Sequence, residues 1–385
     1  LLWKREIPGA VRIKVKADCG NLAVTENGLY VAAHDKCYRL NPETGETIRE
    51  YKVPASADGA SRRWGYLSVV GNILYGSAAK AMDQDYGAMV KRFVENGRWK
   101  NVQDIPEADR EAYESAKKLY PGPQDVRMAA QRSGTMYSRM TSFAGGGEFL
   151  QKNAVTPNLM AGDKVFAMDT ETGELLWQRE GKQIANITIA LGDGKIFYAD
   201  SGISQEERIQ TLQNRRILTE AGVYKNRQGI LEELKQKQEF LAARLAEDPA
   251  YKQKTQVEYL ISSLRAELFR DEHPEGSLTY DDADVRFVVA LDARTGEEIW
   301  RRPVDLTGCC GDAMGTAYSS GLLLFFGNNG NHDAWRFKDG GLKWRRITAL
   351  SAENGDMVWS RALNYRTRPV IVGNKIILEP QACDL

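Results

Sequence analysis

The chain has 385 residues, 42% hydrophobic and 27% charged, with 52 basic and 52 acidic side chains and a formal net charge of zero. That length exceeds one ordinary core unless the core is built from repeats. The charge balance argues against nucleic acid as the main partner, since no global positive field exists to neutralise phosphates. No apolar run reaches the ~18 residues that a membrane-spanning helix needs.

The chain opens on Leu1-Leu2-Trp3-Lys4-Arg5-Glu6, which nearly repeats Leu175-Leu176-Trp177-Gln178-Arg179-Glu180. On this reading the sequence starts at the tail of a unit, with any targeting segment upstream. Strand pairs follow, each bending at glycine: Leu22 to Val31, Leu67 to Tyr75, Ile187 to Tyr198, Thr316 to Phe326 and Val370 to Leu378. After four of these comes a turn that aligns without gaps. The copies are Leu40-Asn41-Pro42-Glu43-Thr44-Gly45-Glu46, Met168-Asp169-Thr170-Glu171-Thr172-Gly173-Glu174, Leu291-Asp292-Ala293-Arg294-Thr295-Gly296-Glu297 and Leu350-Ser351-Ala352-Glu353-Asn354-Gly355-Asp356. Glycine supplies the positive φ of a tight connection. Trp177, Trp300 and Trp359 follow three of the turns in the next strand, while the first copy has Arg49 there. Each unit therefore reads as four short antiparallel strands, and such units repeated radially make a β-propeller.

The turn glycines are unevenly spaced, and the excess sits in insertions. The first, 80–160, contains a short helix ended by Pro121-Gly122-Pro123. The second, 204–285, carries Ile230, Leu234, Leu241 and Leu245 at helical spacing, a break at Asp248-Pro249, then Val257, Ile261, Leu264 and Leu268. Two such stripes describe a helical hairpin, with a solvated charged face or a docking arm for a protein partner as the two uses. A short third insertion runs from Gly327 through His332 to Trp344. Ala382-Cys383-Asp384-Leu385 stands where Ala290-Leu291-Asp292-Ala293 stands in the third repeat, so a fifth unit is begun.

The Ala-Leu-Asp-Ala-x-Thr-Gly-x-x-x-Trp run at 290–300 resembles the tryptophan-docking repeat of quinoprotein-type propellers. That superfamily holds pyrroloquinoline-quinone (PQQ) dependent alcohol dehydrogenases and also non-catalytic members such as the bacterial outer-membrane assembly lipoprotein. The resemblance covers about 1–79, 161–202 and 286–385. It implies a single all-β propeller of four-stranded blades with α-helical insertions, about five units long and incomplete over 1–385, in a periplasmic or otherwise extracytoplasmic setting. It is specific for fold and much less so for function.

One feature resembles chemistry. Cys309 and Cys310 are adjacent, and Cα atoms ~3.8 Å apart lie below the usual disulfide range, so joining them stores strain. In the quinoprotein dehydrogenases such a disulfide stacks over the quinone, at the same place after the repeat. By that resemblance Cys309 and Cys310 are candidate cofactor-binding residues, and PQQ with calcium is the implied cofactor. Met314 stands where the family has a cofactor-contacting arginine, and its catalytic aspartate and calcium ligands match no position here. Asp312, the nearest polar residue to the arginine's place, and His332, polar and close after the cysteine unit, join the two cysteines as candidates. Two functional classes follow: a quinone-dependent oxidoreductase, or a non-catalytic propeller binding a partner through 204–285. The remaining thiols read as a buried Cys383 and a Cys19–Cys37 pair able to bridge one strand pair.

Overall fold

The structure is a computed structural model. It describes residues 2–8, 21–56, 58–59, 62–80, 161–254, 284–307, 309, 314–327, 346–362, 369–378 and 381–384, together with seven helical positions between 257 and 268. The first and third insertions, at 81–160 and 328–345, lie outside the described residues, as does Cys19.

The chain divides into two compact units, 1–202 with 289–299, and 203–288 with 300–385. Unit 1 contains a four-stranded antiparallel meander, β1 (Leu22–Thr25), β2 (Gly28–Ala33), β3 (Lys36–Leu40) and β4 (Thr47–Lys52). It also contains β5 (Arg62–Val70), β6 (Ile73–Lys80), β7 (Ala161–Asp169) and β8 (Leu175–Ala185), again paired in chain order. β8 pairs through Ile184 with Asp200 of β10 (Lys195–Asp200), and β10 also carries β9 (Ala190–Gly192). The second half of β11 (Val285–Asp292) and the start of β12 (Glu298–Asp305) belong to the same unit.

Unit 2 contains the meander β13 (Met314–Ser319), β14 (Leu322–Gly327), β15 (Arg346–Ser351) and β16 (Met357–Ala362). A three-stranded sheet follows, β17 (Val370–Val372), β18 (Lys375–Leu378) and β19 (Gln381–Asp384). Its described helices include α1 (Gln205–Gln213), α2 (Arg215–Glu220) and α3 (Arg227–Glu247).

Burial follows sequence directly. β14 reads Leu-Leu-Leu-Phe-Phe-Gly and is buried from its second residue on, as a strand covered on both faces should be. β4 reads Thr-Ile-Arg-Glu-Tyr-Lys and buries only Tyr51, as an outer strand does. In unit 1 the core joins Tyr30, Cys37, Tyr51, Trp64, Leu74, Phe166 and Met168. In unit 2 it joins Leu324, Phe326, Ile347, Ala349, Ile376 and Leu378. Cys37 is a buried free thiol and not a bridge to Cys19; burial pushes its pKa up, which keeps it protonated and inert.

The repeated turn has one construction. The Oδ1 of Asn41, Asp169 and Asp292 accepts the amides two and three residues on, at 2.7–3.1 Å. The glycines that end the turn, 45, 173, 296 and 355, have φ of 74, 78, 71 and 79°. Onto each turn comes an earlier segment, residues 2–8 for the first turn and β4, β8 and β12 for the others. The indole Nε1 of Trp3, Trp177 and Trp300 donates to the carbonyls of Pro42, Ala293 and Ala352 at 2.9, 3.0 and 3.2 Å. Those rings lie so close that a Cβ on Gly45, Gly296 or Gly355 would sit 2.5–2.6 Å from ring carbon. Two residues after each tryptophan stands an arginine. Arg5 donates to Gly45 O at 2.8 Å and Arg179 to Gly296 O at 2.5 Å.

At the junction where the tryptophan is replaced, the two groups exchange places. Arg49 holds the tryptophan position and Tyr51 the arginine position. Tyr51 Oη donates to Thr170 O at 2.7 Å, the acceptor equivalent to Pro42 and Ala293, and Arg49 donates to Thr172 O at 2.9 Å. The same unit has a second compensated change. The amides of Thr170, Ala293 and Ala352 donate to Asn72, Gly194 and Gly321 at the first bend of their own unit. Pro42 has no amide to give. Arg39, placed where the other copies have a buried alanine, donates instead to Asn27 O at 3.0 Å, and it reaches Thr170 O and Glu171 as well.

The helices carry ordinary start signals. Ser204 and Glu207 form a reciprocal capping box at α1, and Asn226 caps α3 through Gly229 N. Ile230 of α3 is buried against Leu264 and Leu268, with Leu234 beside them.

Candidate functional site

The site is built at the end of β12. Asp305 Oδ1 accepts from Thr307 N at 3.0 Å and from the Thr307 hydroxyl. Asp284 N donates to Thr307 Oγ1 at 2.9 Å, and Leu306 N donates to Asp284 O at 2.8 Å. The Asp284 carboxylate takes both Arg286 Nε and Nη2, at 2.7 and 3.1 Å, with both side chains buried. A paired, bidentate arrangement of this kind offsets the cost of burying two charges. Cys309 N then donates to Leu306 O at 2.9 Å, which fixes the cysteine turn.

The Cys309 thiol is fully buried, and its Sγ donates to Thr348 Oγ1 at 3.3 Å. Thr348 is paired across the sheet with Ser360, and their hydroxyls are 2.9 Å apart. Ser360 Oγ in turn accepts from Arg346 Nη1 at 2.8 Å. The Arg346 guanidinium lies 4.9 Å from the ring centroid of Tyr224, and Arg215 lies 4.1 Å from the same ring. Cys309, Thr348, Ser360, Arg346 and Tyr224 thus form one continuous buried chain of contacts, none more than 1% exposed. Threonine and serine arise here because β15 and β16 place them directly opposite on one face, where paired hydroxyls satisfy each other.

Of the sequence-derived candidates, the structure positions Cys309 alone. Cys310, Asp312 and His332 lie outside the described residues, and Met314 is buried at the start of β13. Of the vicinal pair only Cys309 is described, and its sulfur lies inside the sheet against the Thr348 hydroxyl. Among the described residues no three histidine, cysteine or acidic side chains converge on a metal position. Sequence reading missed Thr348, Ser360, Arg346 and Tyr224. Only Arg346 carried a signal: a charged residue opening an otherwise apolar strand, Arg-Ile-Thr-Ala-Leu-Ser.

No family model matches the chain, and no curated protein matches it. Several solved structures align over most of its length. A europium-containing methanol dehydrogenase aligns at 9% identity and a TM-score of 0.35, over 90% of this chain and 41% of that one. BamB from Moraxella catarrhalis aligns at 9% identity and a TM-score of 0.29, over 92% of this chain and 67% of that one. The quinohemoprotein alcohol dehydrogenase ADHIIG from Pseudomonas putida HK5 aligns at 9% identity and a TM-score of 0.20, over 94% and 61%. The chain thus spans about two fifths of the methanol dehydrogenase it matches. Alignments this shallow identify neither an activity nor a ligand. The propeller-like character of the chain rests on its own meanders and on the grip of each outer strand on the following turn.

Proposed function

We propose that this chain is a quinoprotein-type β-propeller serving as a non-catalytic scaffold outside the cytoplasm, holding a protein partner through its helical insertion. The reading is supported by the exposed apolar side chains of the helical insertion, and the buried Cys309 sulfur, which donates to Thr348 Oγ1 inside the sheet, is compatible with it. The insertion supplies a surface suited to a partner: Ile217 of α2 and Phe240 of α3 are 61% and 42% exposed on helices that are otherwise strongly charged. No helix among the described residues is long and apolar enough to cross a membrane.

The oxidoreductase reading keeps one specific support, the place of Cys309-Cys310 directly after the third repeat, with Asp312 and His332 as polar neighbours in sequence. One experiment separates the two. Purified protein incubated with PQQ and calcium is expected to retain no quinone absorbance after gel filtration and to reduce no dye with alcohols. Retained quinone together with dye reduction overturns the scaffold reading. For the partner, a photo-crosslinking residue at Ile217 or Phe240 is expected to give a discrete protein adduct in cells, where the same residue at the exposed Val24 gives none. Equal patterns at all three positions count against the insertion as a docking arm.

A further inference from the structure

β16 is the outer strand of the sheet β13-β14-β15-β16, so one of its edges lacks a partner strand from that sheet. A bare strand edge is a template for another backbone. Here a three-residue segment between α2 and α3 lies along it. Ser360 N donates to Val223 O at 3.0 Å, and Tyr224 forms an isolated parallel bridge with Ser360. The Arg361 guanidinium donates to Val223 O and, at 3.4 Å, to Gly222 O. The Tyr224 side chain is 1% exposed, lying over Arg215 on one contact and Arg346 on another.

Two features mark this contact as more than an anchor. Arg361 stands two residues after Trp359, the position at which Arg5 and Arg179 grip the backbone carbonyl of a turn from the following repeat. The guanidinium at this place is therefore a holder of a neighbouring segment's main chain, and in unit 2 it holds the insertion. Recognition also runs through the segment's backbone. Two carbonyls of the segment and the Ser360 amide are used, together with the Tyr224 ring, which is chemistry shared with strand addition to a sheet edge. Gly222, at φ 80°, is a pivot at the first residue of the bound segment.

We propose that the outer edge of β16, with Arg361, is an acceptor site for an extended polypeptide segment carrying an aromatic residue, and that Gly222-Val223-Tyr224 is the built-in occupant keeping it closed. A partner strand would supply two successive carbonyls to Arg361 and Ser360 N and would place its ring against the guanidinium groups of Arg215 and Arg346. The inference does not depend on the scaffold reading, since its test uses only this chain and a peptide.

The probe is a fluorescent peptide of residues 219–228, Thr-Glu-Ala-Gly-Val-Tyr-Lys-Asn-Arg-Gln. It is titrated into the full chain and into Tyr224→Ala, with hydrogen exchange at Ser360 and Arg361 followed in both. Releasing the latch should speed exchange at Ser360 by about tenfold or more, the signature of local opening. The variant should then bind the peptide at least about tenfold more tightly than the parent, because in the parent the internal segment competes. The same peptide with alanine for tyrosine should not bind. Unchanged Ser360 exchange overturns the latch, and an opened edge that binds no peptide overturns the acceptor site. Should Tyr224→Ala lose its far-UV signal, Arg215→Met, which removes one guanidinium from the ring, carries the same comparison.

Discussion

At the scale of single residues, the turn glycines separate two costs that usually travel together. All four have left-handed φ, so alanine at any of them costs about 1–2 kcal/mol in backbone strain. At Gly296 the new Cβ would also sit 2.5 Å from the Trp177 ring, whereas at Gly173 the nearest atom is Arg49 Nη1 at 3.5 Å. Gly296→Ala should therefore destabilise by about 3 kcal/mol or more and Gly173→Ala by about 1–2 kcal/mol, read as shifts in urea midpoint at constant slope. Equal shifts would show that the indole can move aside at no cost. The turn aspartates give a second handle. The Thr172 and Glu171 amides hold the Asp169 carboxyl below the ordinary range, and Thr295 then Arg294 do the same for Asp292. A depressed folded pKa means the stabilisation is complete above the unfolded value of about 3.9 and fades as pH falls through the lower folded value. Carbon-detected NMR should place both midpoints under that unfolded value, and Asp169→Asn and Asp292→Asn should flatten the acid limb of stability below about pH 4.

At the scale of elements, the first repeat shows where reading by pattern stops. The alternation of β3 and β4, the glycine turns and the apolar rhythm of α3 are all present in the sequence, since each depends on residues near one another in the chain. Arg49 reads there as a missing tryptophan. Its compensation by Tyr51, and that of Pro42 by Arg39, depend on which carbonyls lie across a junction, and no local period reports that. The cysteine turn was visible for the same reason as the repeats, but Thr348 and Ser360 reach it only through strand register. The exchange predicts coupling. Arg49→Trp and Tyr51→Arg made singly should each destabilise unit 1, because each leaves one grip doubled and the other lost. Made together they restore the order found at Trp177 and Arg179, and a double-mutant cycle should return about 1 kcal/mol or more of favourable interaction. A purely additive cycle would mean that the two side chains do not act as a pair. Arg39→Met, which removes the donor to Asn27 O and the Glu171 pair while Thr170 O keeps Tyr51, should cost about 1–3 kcal/mol by thermal melt.

At the scale of the molecule, charge neutrality has a plain consequence. With 52 charges of each sign and an isoelectric point near 7.0, colloidal repulsion is weakest at neutral pH. Polyethylene-glycol precipitation should find minimum solubility close to pH 7, with solubility rising on either side as net charge builds up. A minimum displaced by two pH units or more would mean that many carboxylates or amines titrate far from their ordinary values. A chain of near-identical units also faces a sorting problem while it folds, because any outer strand could close on any turn, and misassembly of repeats is a common failure. Three of the described grips are of one kind, tryptophan followed by arginine. The fourth presents arginine and then tyrosine, and the turn it meets answers with Thr170 O, Thr172 O and the Glu171 carboxylate, through which Arg39 closes the same junction. The transposed pair therefore works as an address. It marks the strand that belongs to 169–173 and penalises its closure on the other turns, so the order of the units is written partly in the one junction that breaks their rule.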